Sequence, residues 1–262
     1  MTDGVIDPNL YSPPRSLLAK VERRWNQWRT AKALSNTPSR AIISFTFDDF
    51  PKSAAQNGAD ILDRFHAHGA YYTCTGFVDQ EGPFGPYYTL EDMRSLADAG
   101  HEIAAHTQTH INCSKALQAN VLSDIDENLN ALCLHNPTQT IRHFAYPYGE
   151  TRLALKNALS DRFETGRGVL PGINRRGTDL MQLRAVELNM DADSIRRAER
   201  MIEAAVRSPG WLIFFTHDVQ NEPSAFGVTP KTLERIVRQA RDSGAYLTTP
   251  SGAMAEINAV AA

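Results

Sequence analysis

The sequence predicts an α/β fold in which parallel strands alternate with helices around a closed or nearly closed barrel. Short runs rich in branched and aromatic residues, such as residues 42–47 and 211–216, are typical of buried strands. Segments with one apolar face separate these runs, so that strand and helix alternate about seven times. Because parallel strands need crossover connections and the chain has 262 residues, a (β/α)7-type barrel fits better than an open sheet.

The composition is that of an ordinary globular protein. Hydrophobic residues make up 42% of the chain and charged residues 22%. The chain has 27 Lys and Arg against 30 Asp and Glu, a net charge of -3, which gives no general reason to expect nucleic-acid binding. Cys74, Cys113 and Cys133 include no CxxC pair, and their odd number predicts reduced thiols rather than a disulfide framework.

The N-terminal residues 1–40 are predicted to form an extension before the main domain, residues 41–262. Within the extension, residues 16–34 predict a helix that carries several basic residues. The favoured interpretation is a helix packed on the outside of the barrel with its basic side chains in solvent. The alternative is peripheral association with a membrane or with a partner protein.

The sequence also predicts a compartment. Residues 1–18 contain no continuous apolar core of the signal-peptide type. No run reaches the roughly 18 apolar residues that a membrane-spanning helix needs. We therefore expect a cytoplasmic protein; the oligomeric state is not indicated by the sequence.

The remaining elements follow in order from apolar periodicity and turn residues. Thr89 is placed as a helix N-cap, and Gly69 and Gly100 are placed where helices end. Apolar residues recurring on one face predict helices over residues 54–68, 90–99, 116–134, 152–160, 194–206 and 232–242. Apolar or alternating runs predict strands over residues 70–75, 101–105, 142–145, 184–188, 211–216 and 245–248.

Polar residues suited to catalysis follow several of the predicted strands. In a (β/α) barrel, the carboxyl ends of the strands meet at one mouth, where active sites are built. We therefore expect segments that are distant in sequence to converge there. These are Asp48 and Asp49, His106 and His110, the turn at residues 147–149, and His217.

The carboxylates and the first two histidines suggest a metal site. Asp48 and Asp49 end the first strand, and adjacent strand residues point to opposite faces, so one carboxylate would hold a metal while the other acts as a base. His106 and His110 are four residues apart and, on a helical turn, would reach the same ion. Two imidazoles and one carboxylate make an open three-ligand site for a divalent ion, zinc first.

Two further segments suggest proton transfer and oxyanion binding. His217 ends a very apolar strand that leads to the same mouth, where an imidazole can protonate a leaving group. Asp218 is either its orienting partner or a loop residue. The turn at residues 147–149 either presents a main-chain N–H to a developing oxyanion or is a β-turn with aromatic packing.

With these residues assembled, the chain resembles the polysaccharide deacetylases of carbohydrate esterase family 4, which are NodB-like. Residues 46–49 are similar to the first motif of that family and residues 106–110 to its H-[ST]-x-x-H metal motif. Residues 145–149 are similar to the third motif and residues 213–217 to the last. The motifs occur in the family's order, so the resemblance implies the NodB type of distorted barrel, here with an extra N-terminal helix.

The resemblance also implies a role for each matching residue. Asp48 would be the catalytic base and His217 the general acid, while Tyr148 would donate its main-chain N–H to the oxyanion. A divalent metal would be held by Asp49, His106 and His110. That metal is expected to be Zn²⁺, with Co²⁺, Ni²⁺ and Mn²⁺ as alternatives. The substrate would be contacted by Pro147, Ile213 and Phe215.

Two positions depart from the family pattern. Many members carry an arginine that orients the catalytic Asp where this chain has Ala145. Arg142, Arg184 or another arginine would have to supply that charge, and Arg184 is favoured because it begins a later predicted strand. The family's fourth motif is not evident, since the spacing of Asp191 and Asp193 does not match it.

The resemblance implies hydrolytic removal of N-acetyl groups from N-acetylglucosamine-type residues of an oligo- or polysaccharide, with release of acetate. Because no signal peptide is evident, we expect an intracellular precursor of an exopolysaccharide or adhesin as the substrate. One alternative is an allantoinase-like hydrolase of a small cyclic amide. The other is a catalytically silent carbohydrate-binding protein on the same fold.

Overall fold

The central strand of the sheet is the apolar run that ends in the two adjacent aspartates. The computed structural model describes residues 29–259, and in it this run forms β1 (Ile42–Asp48), all seven residues of which are buried. β1 pairs in parallel with β10 (Trp211–Thr216) on one side and with β2 (Ala70–Thr73) on the other. The central position explains why the run is apolar on both faces.

The other strands extend this sheet on both sides. Beyond β2 lie β5 (Glu102–Ala105), β6 (His143–Ala145) and β7 (Thr165–Arg167), all parallel. Beyond β10 lie β9 (Val186–Glu187), which is parallel, and β8 (Ile173–Asn174), which is antiparallel, while β11 (Tyr246–Leu247) pairs with the start of β1. The predicted alternation of strands and helices in a distorted barrel is therefore confirmed.

The distortion is a gap between β7 and β9. Among residues 29–259, no ladder joins these strands, and residues 179–185, which we call the gap segment, cross the gap instead. The N–H of Leu183 donates to the carbonyl of Gly166 (2.8 Å), and the N–H of Gly168 donates to the carbonyl of Leu183 (3.0 Å). The segment thus satisfies polar groups of β7 that a closed barrel would pair with a strand.

The helices predicted between residues 54 and 242 are present, with shifted ends. They are a π-turn (Ala54–Gly58) leading into α1 (Ala59–Arg64), then α2 (Leu90–Asp98), α3 (Gln118–His135), α4 (Leu153–Leu159), α5 (Ala192–Arg207) and α6 (Pro230–Asp242). Thr89 caps α2 as predicted, in a reciprocal capping box with Asp92. The sequence reading missed α7 (Pro250–Ala259), the short strands β7 and β8, and the hairpin of β3 (Glu81–Gly82) and β4 (Gly85–Pro86).

The N-terminal segment differs from its prediction wherever it is described. Residues 1–28, which include most of the helix predicted over residues 16–34, lie outside the described residues. The membrane or partner role of that helix therefore stays a prediction. Residues 29–34 are not helical, because their backbone groups bond to the gap segment and its neighbours. The N–H of Leu34 donates to Thr178 (2.8 Å) and that of Leu180 to Lys32 (2.7 Å). The domain boundary at residue 40 likewise stays a prediction.

The two faces of β1 point to different layers. Ile43, Phe45 and Phe47 belong to the large core cluster that the surrounding helices cover. Ile42 packs with Trp211 in a second cluster, which α7 closes with apolar side chains. Because strand side chains alternate, Ser44, Thr46 and Asp48 share the face of Ile42 and line the barrel interior toward its mouth. Within residues 29–259, none of the helices has the length and apolar character needed to cross a bilayer.

A buried lysine anchors the gap segment. Lys156 on α4 is fully buried, and its ammonium donates to Asp179 Oδ2 (2.9 Å), Gln182 Oε1 (3.1 Å) and the carbonyl of Arg29 (2.6 Å). A charge buried this deeply is tolerated because the carboxylate and two neutral acceptors replace its hydration. The contacts tie α4, the gap segment and the N-terminal segment together.

We expect Lys156→Met to lower the free energy of unfolding by about 3–5 kcal/mol, because it leaves the Asp179 carboxylate buried without its cation. Chemical unfolding followed by circular dichroism would measure the loss. The double variant Lys156→Met with Asp179→Asn should recover part of it. Arg196→Met, which breaks an exposed pair with Asp193, is the control and should change stability by less than about 1 kcal/mol. A loss no larger for Lys156→Met than for Arg196→Met would contradict the anchoring role.

Candidate active site

The mouth of the barrel contains several residues with strained backbone. Asp49 and Phe50, which follow β1, both have a φ of 60°. Thr107 (66°), His110 (57°) and Tyr148 (61°) adopt the same left-handed region in two neighbouring loops. Residues other than glycine are rare there, and such strain concentrates at functional sites that the surrounding structure holds in place.

The structure brings Asp49, His106 and His110 together. Asp49 Oδ1 lies 3.5 Å from His106 Nε2 and 3.4 Å from His110 Nε2, and the carboxylate is 1% exposed. The other ring nitrogen of His106, Nδ1, lies 2.8 Å from the carbonyl of Ala145, which directs Nε2 toward the carboxylate. Asp49 Oδ1 has no hydrogen-bond donor among the described residues.

These three side chains fit a divalent metal ion. Burial lowers the pKa of both His106 and His110 to about 4, so both imidazoles are neutral at pH 7 and can each offer a lone pair. Burial raises the pKa of Asp49, as expected for a carboxylate that lacks a full set of donors. A cation between the three groups would compensate the buried carboxylate oxygen. Their role as metal ligands remains a prediction that this geometry favours.

The loop that carries the two histidines is not the helical turn that was predicted. Residues 106–110 are irregular, and the N–H groups of Gln108 and Thr109 donate to Asp124 on α3 instead of along a helix. Asp124 accepts from the N–H of Gln108 (2.6 Å) and from the N–H (3.1 Å) and hydroxyl (2.6 Å) of Thr109. This buried carboxylate therefore fixes the loop between the two histidines. Nothing in the sequence distinguishes it from the other acidic residues of α3.

A buried arginine holds Asp48, the other aspartate. The guanidinium Nη2 of Arg167 lies 2.6 Å from Asp48 Oδ2, and Arg167 is 1% exposed. The guanidinium lies between the rings of Tyr72 (4.8 Å) and Phe215 (4.9 Å). Burial alone would raise the pKa of Asp48, but the charge of Arg167 and the nearby imidazoles together hold it below its ordinary value. Asp48 is therefore an ionised carboxylate at neutral pH.

The prediction that Arg184 orients Asp48 is wrong, because Arg167 makes that contact. Arg184 is exposed and donates to the carbonyl of Pro171 (3.4 Å). Arg142 is also exposed and pairs with Glu164. Both precede their strands and lie away from the mouth, whereas Arg167 ends β7. In the sheet, Arg167 is the register partner of Ala145, so the adjacent strand supplies the arginine that is missing from residue 145.

His217 reaches the same cluster from β10. Its Nε2 lies 3.9 Å from Asp49 Oδ2, and its ring faces Phe84 of the β3–β4 hairpin (4.9 Å) and Phe226 (5.6 Å). His217 Nδ1 is buried without a hydrogen-bond partner among residues 29–259. The hairpin, which the sequence reading missed, thus packs against the predicted general acid and shields one side of it from water.

The carboxylates considered as partners of His217 have other contacts. Asp218 is a loop residue, since it accepts from the N–H of Ser224 (2.8 Å) and from Gln220 Nε2 (2.8 Å). Asp191 caps α5, and Asp193 pairs with Arg196 on the surface. Glu187, at the end of β9, is a further carboxyl near His217: burial raises the pKa of Glu187, and the imidazole acts in the opposite direction.

The predicted substrate-contacting residues have different positions. Pro147 is buried, and Tyr148 is partly exposed with its ring 4.5 Å from that of His110. Phe215 packs on Arg167 at the mouth. The substrate-binding and oxyanion-binding roles of Pro147, Tyr148 and Phe215 stay predictions. Ile213 lies deeper, fully buried in the interior cluster with Trp211, and the structure does not bring it to the mouth. It is two residues below Phe215 on the same face, which places it roughly 7 Å further down the strand.

Cys74 is an unexpected neighbour of the cluster. It follows β2, is fully buried, and its thiol donates to the carbonyl of His106 (2.9 Å). Ligating atoms of Asp49, Cys74 and His106 all lie within 4.8 Å of one another. The sequence reading treated all three cysteines as ordinary reduced thiols and had no signal for this position.

The open barrel and the polar cluster at its mouth define the class of protein, an α/β barrel of the NodB type. Residues 35–162 match the family described as polysaccharide deacetylase. This stretch, just under half of the chain, is therefore similar to the polysaccharide deacetylase family. The matched part includes both aspartates and the loop with His106 and His110, and it ends before Arg167 and His217.

One curated relative is similar to most of this chain. A bifunctional xylanase/deacetylase of Pseudobutyrivibrio xylanivorans is 20% identical over 206 residues, which cover 78% of this chain and 30% of the relative. The chain thus spans less than a third of that relative's length.

Solved structures share the fold. A family 4 carbohydrate esterase pseudoenzyme from Bacillus anthracis has a TM-score of 0.60 at 14% identity, over 82% of this chain and 66% of the other. A family 4 acetyl xylan esterase from Clostridium thermocellum, solved with cobalt, has a TM-score of 0.56 at 18% identity, over 84% and 91%. At these identities, the likeness shows a common fold.

We expect Asp124→Asn to weaken Co²⁺ binding about tenfold to a hundredfold, because the loop between His106 and His110 loses a carboxylate that holds it in place. Calorimetric titration of the metal-free protein would measure the affinity. Asp126→Asn is the matched control, since Asp126 lies two residues along α3 and is exposed. Equal affinities for the two variants would show that Asp124 does not position the loop.

Proposed function

We propose that this protein is a metal-dependent hydrolase that removes N-acetyl groups from N-acetylglucosamine-type residues of an oligo- or polysaccharide, releasing acetate. The observation that carries the proposal is the convergence of an ionised Asp48, the Asp49–His106–His110 cluster and His217 at one mouth. The match to the polysaccharide deacetylase family supports the same reaction class.

The metal would be held by Asp49, His106 and His110. Two neutral imidazoles and one carboxylate suit Zn²⁺, with Co²⁺, Ni²⁺ and Mn²⁺ as alternatives. When bound, such an ion lowers the pKa of water and polarises a carbonyl oxygen. The neighbour from Clostridium thermocellum was solved with a cobalt ion, which supports a metal centre in this fold.

The other side chains would move protons and stabilise charge. Asp48 accepts the proton of the attacking water, and Arg167 keeps its carboxylate ionised and oriented. The main-chain N–H of Tyr148 donates to the developing oxyanion. His217 protonates the departing nitrogen, which amide cleavage requires because a free amide anion is a very poor leaving group.

The substrate class follows from the reaction and the relatives. A proton donor at the same mouth as the base favours an amide, and therefore an N-acetyl group, over an ester. The relatives include an acetyl xylan esterase, so acetylated xylan is the substrate to compare. An exopolysaccharide or adhesin precursor, met in the cytoplasm, is the natural substrate that we propose within this class.

The first test is acetate release from N-acetylglucosamine oligomers by the metal-loaded protein and by Asp48→Asn. We expect Asp48→Asn to keep one equivalent of metal and to lower kcat by about 10²–10⁴-fold, because an amide cannot accept the proton. A chelated sample is the control. Release from acetylated xylan alone would identify an esterase, and no release from either by a metal-loaded protein would favour a silent relative such as the pseudoenzyme.

Comparing Arg167→Lys with Arg184→Lys tests the corrected arginine. Lysine keeps the charge of Arg167 but loses the planar contact with Asp48, so we expect kcat to fall about a hundredfold while KM changes little. Arg184→Lys changes an exposed side chain and should match the unmodified protein. A fall in kcat for the Arg184 variant instead would refute the assignment.

A further inference from the structure

The sheet register places Cys74 beside the metal-binding loop. β2 and β5 are parallel, and Thr73 is the register partner of Ala105. Cys74 directly follows β2 and His106 directly follows β5, so the two residues leave the sheet side by side at the mouth. The thiol is fully buried and has its hydrogen bond to the carbonyl of His106, 2.9 Å away.

A second observation at the same place points to a cation. Asp49 Oδ1 is buried and receives no hydrogen bond from the described residues. The same carboxylate contributes an oxygen to a group of possible ligating atoms that lie within 4.8 Å of one another. That group contains a carboxylate oxygen, the Cys74 sulfur and a His106 ring nitrogen. Oxygen, sulfur and nitrogen donors this close together are characteristic of zinc-type sites.

We infer that Cys74 supplies a sulfur ligand to the metal ion, in addition to Asp49, His106 and His110, and that this ligand makes the site prefer thiophilic ions such as Zn²⁺, Cd²⁺ and Co²⁺ over Mn²⁺. The inference rests on the proposed function, since it concerns the same metal centre. Thiolate ligands select softer ions, whereas carboxylate and water suit Mn²⁺.

Binding of the ion by Cys74 would require the thiol to lose its proton. The S–H bond of Cys74 breaks, its proton passes to solvent, and a sulfur lone pair forms the bond to the ion. The carbonyl of His106 loses its S–H donor in the process. Two negative ligands, Asp49 and Cys74, then neutralise a divalent charge that two neutral imidazoles leave uncompensated. Zinc sites can expand to five ligands, so a fourth protein ligand does not close the ion to substrate.

Cobalt substitution tests the sulfur ligand directly. The full-length Cys133→Ser protein, which lacks the exposed thiol, is loaded with one equivalent of Co²⁺ and its near-ultraviolet absorption is recorded. We expect a sulfur-to-cobalt charge-transfer band. The band should persist in Cys113→Ser/Cys133→Ser, where Cys74 is the sole thiol, and disappear in Cys74→Ser/Cys133→Ser.

Metal preference gives a second, independent readout. Cys74→Ser in the same background should weaken Cd²⁺ binding by at least about tenfold relative to Mn²⁺ binding, because it removes the soft sulfur ligand that Cd²⁺ prefers and Mn²⁺ does not. If Cys74 only supported the His106 loop through its hydrogen bond, the two affinities would fall together. The ratio of affinities therefore separates a ligand from a supporting residue.

The outcomes distinguish sulfur ligation by Cys74 from the proposed metal-dependent function. Stoichiometric Co²⁺ without a charge-transfer band in the protein whose sole thiol is Cys74 overturns the inference and leaves the proposed metal centre intact. An equal loss of Cd²⁺ and Mn²⁺ affinity also overturns it. Failure to bind any ion overturns both. The spectrum of the sole-thiol protein decides the question even if the serine variant at residue 74 does not fold.

Discussion

The contact between Arg167 and Asp48 is the interaction on which the site depends. Both groups are buried, and either charge alone would be strongly unfavourable at that depth. The pair is tolerated because the guanidinium also lies between two aromatic rings, those of Tyr72 and Phe215. The consequence is that the pKa of Asp48 is lowered, so this carboxylate stays ionised although it lies inside the barrel.

The pair in turn depends on parts of the chain that never reach the mouth. β7 has three residues and lies at the edge of the gap in the barrel, so the segment at residues 179–185 must hold it. Lys156 holds that segment through an ion pair with Asp179, and it also donates to the carbonyl of Arg29. The N–H of Leu180 in the segment donates to the carbonyl of Lys32. Polar contacts thus link α4 and this segment to β7, the strand that ends in Arg167.

The same logic applies to the histidine loop. Asp49, Thr107 and His110 adopt left-handed backbone, which costs energy at each residue. Asp124 offsets this cost by accepting three hydrogen bonds from the loop, and Asn128 on the same helix donates to the carbonyl of Thr73 (3.0 Å). The geometry of the cluster is therefore set by α3 as much as by the residues that form it.

The sequence by itself determined the class of fold, the central strands and the residues that converge at the mouth. β1 and β10 were evident because long apolar runs report burial directly, and Asp48 and His217 because they end such runs. His106 was evident because it lies four residues before His110. Arg167 was not evident, since Thr165, Gly166 and Arg167 have no apolar pattern and are a strand only because β6 pairs with them. The tertiary structure alone decided which arginine meets Asp48, which carboxylate holds the histidine loop and that Cys74 lies beside His106. These contacts join residues from different strands and helices, and a local pattern carries no information about a partner that only sheet register and helix packing bring close.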